Sequence, residues 1–147
     1  MKPPSRRRRR GGFTLMEVLL VLVILVALAS MAVLAYGPIQ RKADAKNAKI
    51  QVATLTSAVD LWYQDFKSYP DPNEWTMLLT ANDVPSGVNE RNWNGPYLKT
   101  GVPPDPWGTP YLFKAPGNYN PRSFDIFSAG PDGTEGTEDD IGNWNVE

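Results

Sequence analysis

The stretch GGFTLMEVLLVLVILVALASMAVLAY, residues 11–36, decides the fold of this chain. From Val18 to Tyr36 the only polar side chains are those of Ser30 and the tyrosine itself. A helix of this span is roughly 28 Å long, close to the thickness of the hydrocarbon core of a bilayer. The stretch therefore predicts a membrane-spanning helix over residues 13–36. Glu17 needs a separate explanation, because a carboxylate at membrane depth costs a few kcal/mol.

The residue types that the chain lacks exclude several classes of protein. Among its 147 residues there is no cysteine and no histidine. Disulfides, thiolate metal sites, the Ser-His-Asp triad and histidine-based zinc sites are therefore excluded. An exported hydrolase that uses Asp139 and Asp140 remains an alternative. Adjacent residues of an acidic loop are poorly placed for separate acid and base roles, so we expect no enzyme.

The formal net charge of −1 conceals an asymmetric distribution. Lys2 and the run Arg6–Arg10 supply six of the fifteen cations, and residues 1–12 hold no acid. The remainder carries nine cations against sixteen acids, which argues against a nucleic-acid partner. A basic stretch directly before an apolar segment follows the positive-inside rule instead.

Two kinds of export signal compete for this N-terminal region. A cleavable secretory signal has a shorter apolar core and could be cut at Ala27–Ala29. A twin-arginine signal would use Arg9 and Arg10, although the spacing to Phe13 is not quite right. Neither signal calls for an acid at the position of Glu17.

The segment GFTLME, residues 12–17, resembles the cleavage site of the type IV pilin and pseudopilin superfamily. In that family a basic leader ends in glycine, and phenylalanine, threonine, leucine, an apolar residue and glutamate follow. The resemblance implies that a prepilin peptidase removes residues 1–12 by cutting between Gly12 and Phe13. It also implies N-methylation of Phe13.

The same resemblance implies a role for Glu17 in assembly. Cleavage creates an ammonium group on Phe13, and in a filament the Glu17 carboxylate would meet the ammonium of a neighbouring subunit. An ion pair is tolerated in apolar surroundings where a lone charge is not. The alternative is that Glu17 simply lies in the headgroup layer.

Beyond the apolar segment, residues 37–69 are predicted to form an amphipathic continuation of the helix. Gly37 and Pro38 predict a kink, because proline removes a helical hydrogen bond and disfavours helical geometry at the preceding residue. Apolar residues then recur at steps of four and three, which marks one buried stripe. The stripe consists of Ala48, Val52, Leu55, Val59, Trp62 and Phe66.

Residues 70–147 are predicted to form a small head. The sequence YPDP at residues 69–72 stops the helix, and residues 73–81 suggest a short helix with Asn73 as its N-cap. Residues 82–110 read as an irregular loop containing a type I turn, DPWG, at residues 105–108. TPYLFK and SFDIFS read as short strands that bury Trp62, Trp107 and Phe127. The predicted fold is α+β: a long kinked helix packed against a small antiparallel sheet.

The head resembles the major, G-type pseudopilins of type II secretion systems. The resemblance rests on WYQDFKSYPD, on GPYLKTGVPPDPWGTPYLF and on the closing segment FDIFSAGPDGTEGTEDDIGNW. It implies a C-terminal calcium loop. The implied ligands are the carboxylates of Asp132, Asp139 and Asp140, with main-chain oxygens near Ala129 and Thr137. The spacing does not fit an EF-hand, and the alternative is a solvated acidic loop.

The resemblance implies a structural subunit that drives export of folded proteins across the outer membrane. It would wait in the bacterial inner membrane as a single-pass protein with its head in the periplasm, and then polymerise into a helical periplasmic pseudopilus. The implied partners are copies of itself, minor pseudopilins, the prepilin peptidase, the inner-membrane assembly platform and the membrane. A type IV or DNA-uptake pilin is the alternative, against which the missing cysteines and the GPDG…DD tail weigh.

The mass of the membrane-inserted protein tests this interpretation of the N-terminus. We expect a chain that begins at Phe13 and carries one added methyl group. Intact-mass spectrometry of the purified membrane fraction measures it. A chain that begins after Ala29, or an uncut chain that begins at Met1, would contradict cleavage at Gly12.

Overall fold

The computed structural model describes residues 12–144, without the side chains of residues 32–35. Most of the predicted leader therefore lies outside the described residues. The chain divides into two compact units, with the boundary after Gln40. In chain order the elements are α1 Leu15–Phe66, α2 Trp75–Thr80, a 3-10 turn at Glu90–Asn92, β1 Leu112–Lys114, β2 Asp125–Ser128 and β3 Ile141–Gly142.

The first unit contains the apolar part of α1. Within residues 12–144, α1 alone is long and apolar enough to cross a membrane, by its length and composition. Its large apolar side chains from Leu15 to Met31 are exposed. The Ser30 hydroxyl donates to the Val26 carbonyl at 2.8 Å, so this polar group is satisfied inside the helix, as a membrane requires. Pro38 lies inside α1, and the kink predicted there stays a prediction.

The second unit is built on the stripe predicted along α1. Ala48, Val52, Leu55, Val59 and Trp62 are all buried, and Phe66 is partly buried against the same core. Side chains from α2, from the sheet and from the residue before β2 complete this core: Leu78, Leu79, Phe113, Ile126 and Phe124. The periodicity of four and three is therefore confirmed as a packing pattern.

The amphipathic helix ends earlier than predicted. α1 stops at Phe66, three residues before the predicted end at residue 69. Lys67 adopts φ of +54°, the left-handed conformation that commonly terminates helices. Its N–H still donates to the Tyr63 carbonyl at 2.8 Å. The stop is thus made by a left-handed residue before Pro70 is reached.

The predicted short helix is present, but its predicted cap is wrong. α2 begins at Trp75 after Glu74, which makes no side-chain capping bond. Asn73 instead belongs to the preceding turn, where its backbone N–H donates to Asp71 Oδ1 at 2.8 Å. The Asp71 side chain therefore uses Asn73 to close a turn of its own.

The three strands form one antiparallel sheet in the order β1-β2-β3. Phe113 of β1 is opposite Ile126 of β2, and Ser128 of β2 is opposite Ile141 of β3. β1 and β2 lie in the two predicted segments. β3 was not predicted, because two residues are too few to display an alternating pattern.

The turn at residues 105–108 is present, with the Gly108 N–H donating to the Asp105 carbonyl at 3.0 Å. Trp62 and Phe127 are buried as predicted. Trp107 was predicted to be buried as well, and this is wrong, since its side chain is only half-buried. It occupies the third position of the turn, between the exposed residues Pro106 and Gly108.

Two leucines of α1 test the importance of the buried stripe. Leu55→Ala is expected to lower the free energy of unfolding by about 2–5 kcal/mol, because it leaves a cavity in the core. Leu61→Ala is the matched control on the exposed face, where the expected change is within about 0.5 kcal/mol. Denaturant unfolding of the full chain in detergent, followed by tryptophan fluorescence, measures both. If both variants lose the same free energy of unfolding, burial of the stripe does not stabilise the core.

Candidate functional site

The first candidate region is the start of α1, where Thr14 and Glu17 form a capping box. The Thr14 backbone N–H donates to Glu17 Oε2 at 2.9 Å, and the Thr14 hydroxyl donates to the same oxygen at 3.1 Å. In return, the Glu17 backbone N–H donates to Thr14 Oγ1 at 3.3 Å. Such reciprocal bonds satisfy backbone donors that a helix start leaves without partners.

The capping box was missed in the sequence, although its signature is present. Thr-Leu-Met-Glu at residues 14–17 has threonine and glutamate three apart before an apolar run. The prediction considered only partners outside the chain for Glu17. The structure adds a partner within the chain, and leaves the predicted pairing with a neighbouring subunit a prediction.

The predicted cleavage site lies just before this cap. Gly12 is exposed, and nothing within residues 12–144 would lie within 4 Å of a Cβ placed on it. The Phe13 side chain is 88% exposed. Within the described chain, the bond between these residues is therefore uncovered.

The second candidate region is the acidic loop between β2 and β3. Three glycines with positive φ shape it: Gly130 at +66°, Gly133 at +66° and Gly136 at +89°. Gly130 also permits a close approach, because a Cβ at that position would lie 2.5 Å from the Asp139 carbonyl oxygen. The two ends of the loop are thus packed against each other, with no room for a side chain between them.

Two of the predicted carboxylates meet within this loop. The Thr137 hydroxyl lies 2.5 Å from Asp139 Oδ1 and 3.4 Å from Asp132 Oδ1. The Asp132 backbone N–H also donates to Asp139 Oδ2 at 3.3 Å. The hydrogen bond from Thr137 is the main reason why the pKa of Asp139 is lowered. The loop therefore brings two carboxylates to one threonine hydroxyl, whose role the sequence analysis did not identify.

The other predicted ligands are placed differently. Asp140 is buried, and its Oδ2 accepts from the Gly136 N–H at 2.8 Å, which holds the loop backbone. The Thr137 carbonyl accepts from the Asp140 backbone N–H at 3.4 Å. Ala129, which directly follows β2, is buried. Within residues 12–144, no three acidic side chains converge closely enough to form a metal cluster by themselves. Main-chain oxygens would have to complete any cation site here.

The remaining acids of the loop lie on its surface. Glu135 and Glu138, which the resemblance matches to no ligand position, are both exposed. Glu135 also forms an ion pair with Lys114 of β1, which joins the loop to the sheet. The Lys114 ammonium lies over the ring of Phe127, at 5.7 Å from its centroid.

A buried pair next to this loop was also missed. Asp105 of the DPWG turn and Ser128 at the end of β2 are both buried, and the Ser128 hydroxyl donates to Asp105 Oδ2 at 2.5 Å. Asp105 Oδ1 accepts from the backbone N–H groups of Trp107 at 3.1 Å and Thr109 at 2.8 Å. The sequence predicted the turn but not the long-range partner of its carboxylate.

Two protein families match this chain. The family described as "Type II secretion system (T2SS), protein G" matches residues 36–144. The family described as "Prokaryotic N-terminal methylation motif" matches residues 7–33, which include the predicted cleavage site. The chain belongs to the type II secretion system protein G family.

Relatives named as type II secretion system core protein G align along almost the entire chain. The protein of Aeromonas hydrophila is 39% identical over 141 residues, covering 96% of each chain. The protein of Escherichia coli K12 is 38% identical over 139 residues, covering 94% of this chain and 93% of the relative. The resemblance read from the sequence is therefore confirmed at the level of the family.

A solved structure supports the fold of this protein G family member. The major pseudopilin from the type 2 secretion system of enterohaemorrhagic Escherichia coli superimposes with a TM-score of 0.62 and 34% sequence identity. The match covers 76% of this chain and 92% of that chain. The long helix and small antiparallel sheet are thus the architecture of a pseudopilin.

Proposed function

We propose that this chain is the structural subunit that polymerises into the periplasmic pseudopilus of a type II secretion system. The observation that carries the proposal is a protein G-type head that follows an N-terminal methylation motif and an exposed apolar helix on one chain. In this role the subunit drives export of folded proteins across the outer membrane, and it is not an enzyme.

The physical basis of the mechanism is the apolar part of α1. Its exposed side chains need either lipid or other helices around them, because water leaves them unfavourably solvated. Lipid and packed helices are both apolar, so moving a subunit from the bilayer into a filament exchanges one apolar environment for another. Repeated exchange lengthens the filament without exposing the helix to water.

The charge distribution supports the orientation that we propose. The basic residues before the apolar segment favour the cytoplasmic side of the inner membrane, so the head of a single-pass subunit lies in the periplasm. A prepilin peptidase then has access to the exposed bond between Gly12 and Phe13. Minor pseudopilins and the inner-membrane assembly platform are the other partners that this function requires.

We further propose that the two functions of Glu17 are separable. Capping the helix needs an acceptor oxygen three residues after Thr14, which glutamine also provides. Pairing with the ammonium of a neighbouring subunit needs the negative charge. Substitutions at these two positions therefore distinguish a helix cap from an assembly contact.

Glu17→Gln is expected to keep the cap, membrane insertion and leader cleavage, and to lower the yield of sheared filaments at least tenfold. Thr14→Ala is the matched control, because it removes the capping hydroxyl and retains the charge. Immunoblots of sheared and cell fractions measure assembly. Normal filament yield with Glu17→Gln would contradict the proposed ion pair, and equal losses in both variants would assign the effect to capping.

We also propose that the acidic loop binds calcium. Asp132 and Asp139 would hold the ion, with Asp140 and the main-chain oxygens near Ala129 and Thr137 as the further predicted ligands. The support is the convergence of two carboxylates at the Thr137 hydroxyl in a glycine-shaped loop, since calcium prefers such oxygen ligands. When bound, calcium supplies the positive charge that offsets the repulsion among these acids. Glu135 and Glu138 stay outside the ligand set.

Thermal unfolding tests the calcium proposal. Chelation is expected to lower the melting temperature of the full chain in detergent, and added calcium to restore it, because a ligand that binds only the folded state stabilises it. Asp132→Asn and Asp139→Asn are each expected to abolish the response. Glu138→Gln, an exposed acid of the same loop, is expected to preserve it. A wild-type melting temperature that ignores calcium would contradict the proposal.

Deletion of the gene in the source bacterium tests the secretion role. Export of folded proteins to the medium is expected to stop, and the wild-type gene supplied in trans is expected to restore it. Activity assays of secreted proteins in the medium and in the periplasm measure the effect. Retained secretion with loss of twitching or DNA uptake would instead identify a type IV or DNA-uptake pilin.

A further inference from the structure

The buried pair of Asp105 and Ser128 is connected to the acidic loop through one more hydrogen bond. Ser128 Oγ accepts from the Gly130 N–H at 3.1 Å, while its own proton is donated to Asp105 Oδ2. Three groups therefore form a directed chain: the Gly130 N–H, the Ser128 hydroxyl and the Asp105 carboxylate. A carboxylate accepts only, so its contact with Ser128 commits the hydroxyl proton and leaves the serine lone pairs to face Gly130.

The far end of this chain, Asp105, is held independently of the acidic loop. Its carboxylate accepts from the backbone N–H of Trp107 in the DPWG turn and from that of Thr109 directly after the turn. The Asp105 N–H in return donates to the Thr109 carbonyl at 2.8 Å. Asp105 and Ser128 are almost inaccessible to solvent, with 4% and 0% of their surfaces exposed. Water therefore cannot replace either partner, and the position of the Ser128 hydroxyl is set by the turn.

The near end of the chain fixes one peptide group. The N–H of Gly130 and the carbonyl of Ala129 belong to the same planar trans peptide, so they point in opposite directions. Directing the N–H to Ser128 Oγ therefore directs the Ala129 carbonyl away from it. Gly130 lies against Asp139, where a Cβ would come within 2.8 Å of Asp139 Oδ2.

We propose that Asp105 is a positioning residue for the acidic loop, acting through Ser128 to orient the Ala129 carbonyl as a calcium ligand. The inference rests on the proposed calcium site. It extends that site by a residue more than twenty positions away in the chain, in a turn with no predicted role in binding. The DPWG turn thus contributes to ion affinity without touching the ion.

Calcium titration of the full chain in detergent, by calorimetry after chelation, tests the proposal. Ser128→Ala is expected to weaken calcium binding about tenfold, because the Ala129 peptide is no longer held. Asp105→Ala is expected to give a similar loss. The double variant is expected to match Ser128→Ala alone, since both side chains act through one hydrogen-bond chain.

Tyr97→Phe is the control for a general loss of stability. It removes a hydroxyl that donates to Asp65 Oδ2 at 2.7 Å, a contact that includes no loop residue. We expect it to lower the melting temperature of the calcium-free protein and to leave calcium affinity unchanged. If Tyr97→Phe weakens calcium binding as much as Ser128→Ala does, the effect of Ser128 is general destabilisation and the proposal is wrong.

The outcomes separate this proposal from the calcium site itself. A wild-type chain that binds no calcium overturns both. A wild-type chain that binds calcium, with an equal affinity in Ser128→Ala, overturns the positioning role alone. Losses that add in the double variant overturn the route through Ser128. Ser128→Cys, which keeps a side chain of similar size with a weak donor and acceptor, is measured if Ser128→Ala does not fold, with a weaker affinity again expected.

Discussion

The head depends on burial of one face of α1, because its sheet is too small to stand alone. The three strands contain three, four and two residues, and sheets of this size need a helix or further strands to cover their apolar face. Val52, Leu55 and Val59 supply that cover. The same helix continues towards the N-terminus as an apolar segment exposed on every side. One helix therefore combines a face buried in the core of the head with a preceding segment whose apolar side chains are exposed.

Buried carboxylates hold the loops of a head that has no cysteine. Asp125 accepts from the backbone N–H groups of Tyr119 at 2.8 Å and Asn120 at 3.0 Å, and also from the Asn120 side chain at 2.9 Å. Asp105 does the same for the DPWG turn. An aspartate with several N–H partners orders a loop locally, although it does not restrict the unfolded chain as a disulfide does. Asp105 is also connected to the acidic loop, because it accepts from the Ser128 hydroxyl, which in turn accepts from the Gly130 N–H.

The sequence predicted the features that repeat or that follow a motif. The apolar run, the stripe from Ala48 to Phe66, the two longer strands and the family were all read correctly, because each leaves a pattern within a short window. Errors arose where two local signals competed for the same residues and the prediction used only one of them. Asn73 was assigned as a cap but is used by the turn at Asp71, and the helix ends at a left-handed Lys67 before the proline signal. The capping box of Thr14 and Glu17 was missed, because Glu17 was considered only as a charge at membrane depth and not as a cap of the helix.

By itself, the sequence determined the class of the protein: a long apolar N-terminal helix, a one-sided continuation and a small head that belongs to a known family. Periodicity and composition suffice for the helices, since they depend on neighbours three or four residues apart, whereas the resemblance to the family rests on short motifs such as GFTLME at residues 12–17. Only the tertiary structure decided which polar groups meet. The pairing of Asp105 with Ser128, which are 23 residues apart, depends on how the chain returns to the sheet. Contacts between distant residues of this kind have no local period, because packing of the intervening chain brings them together.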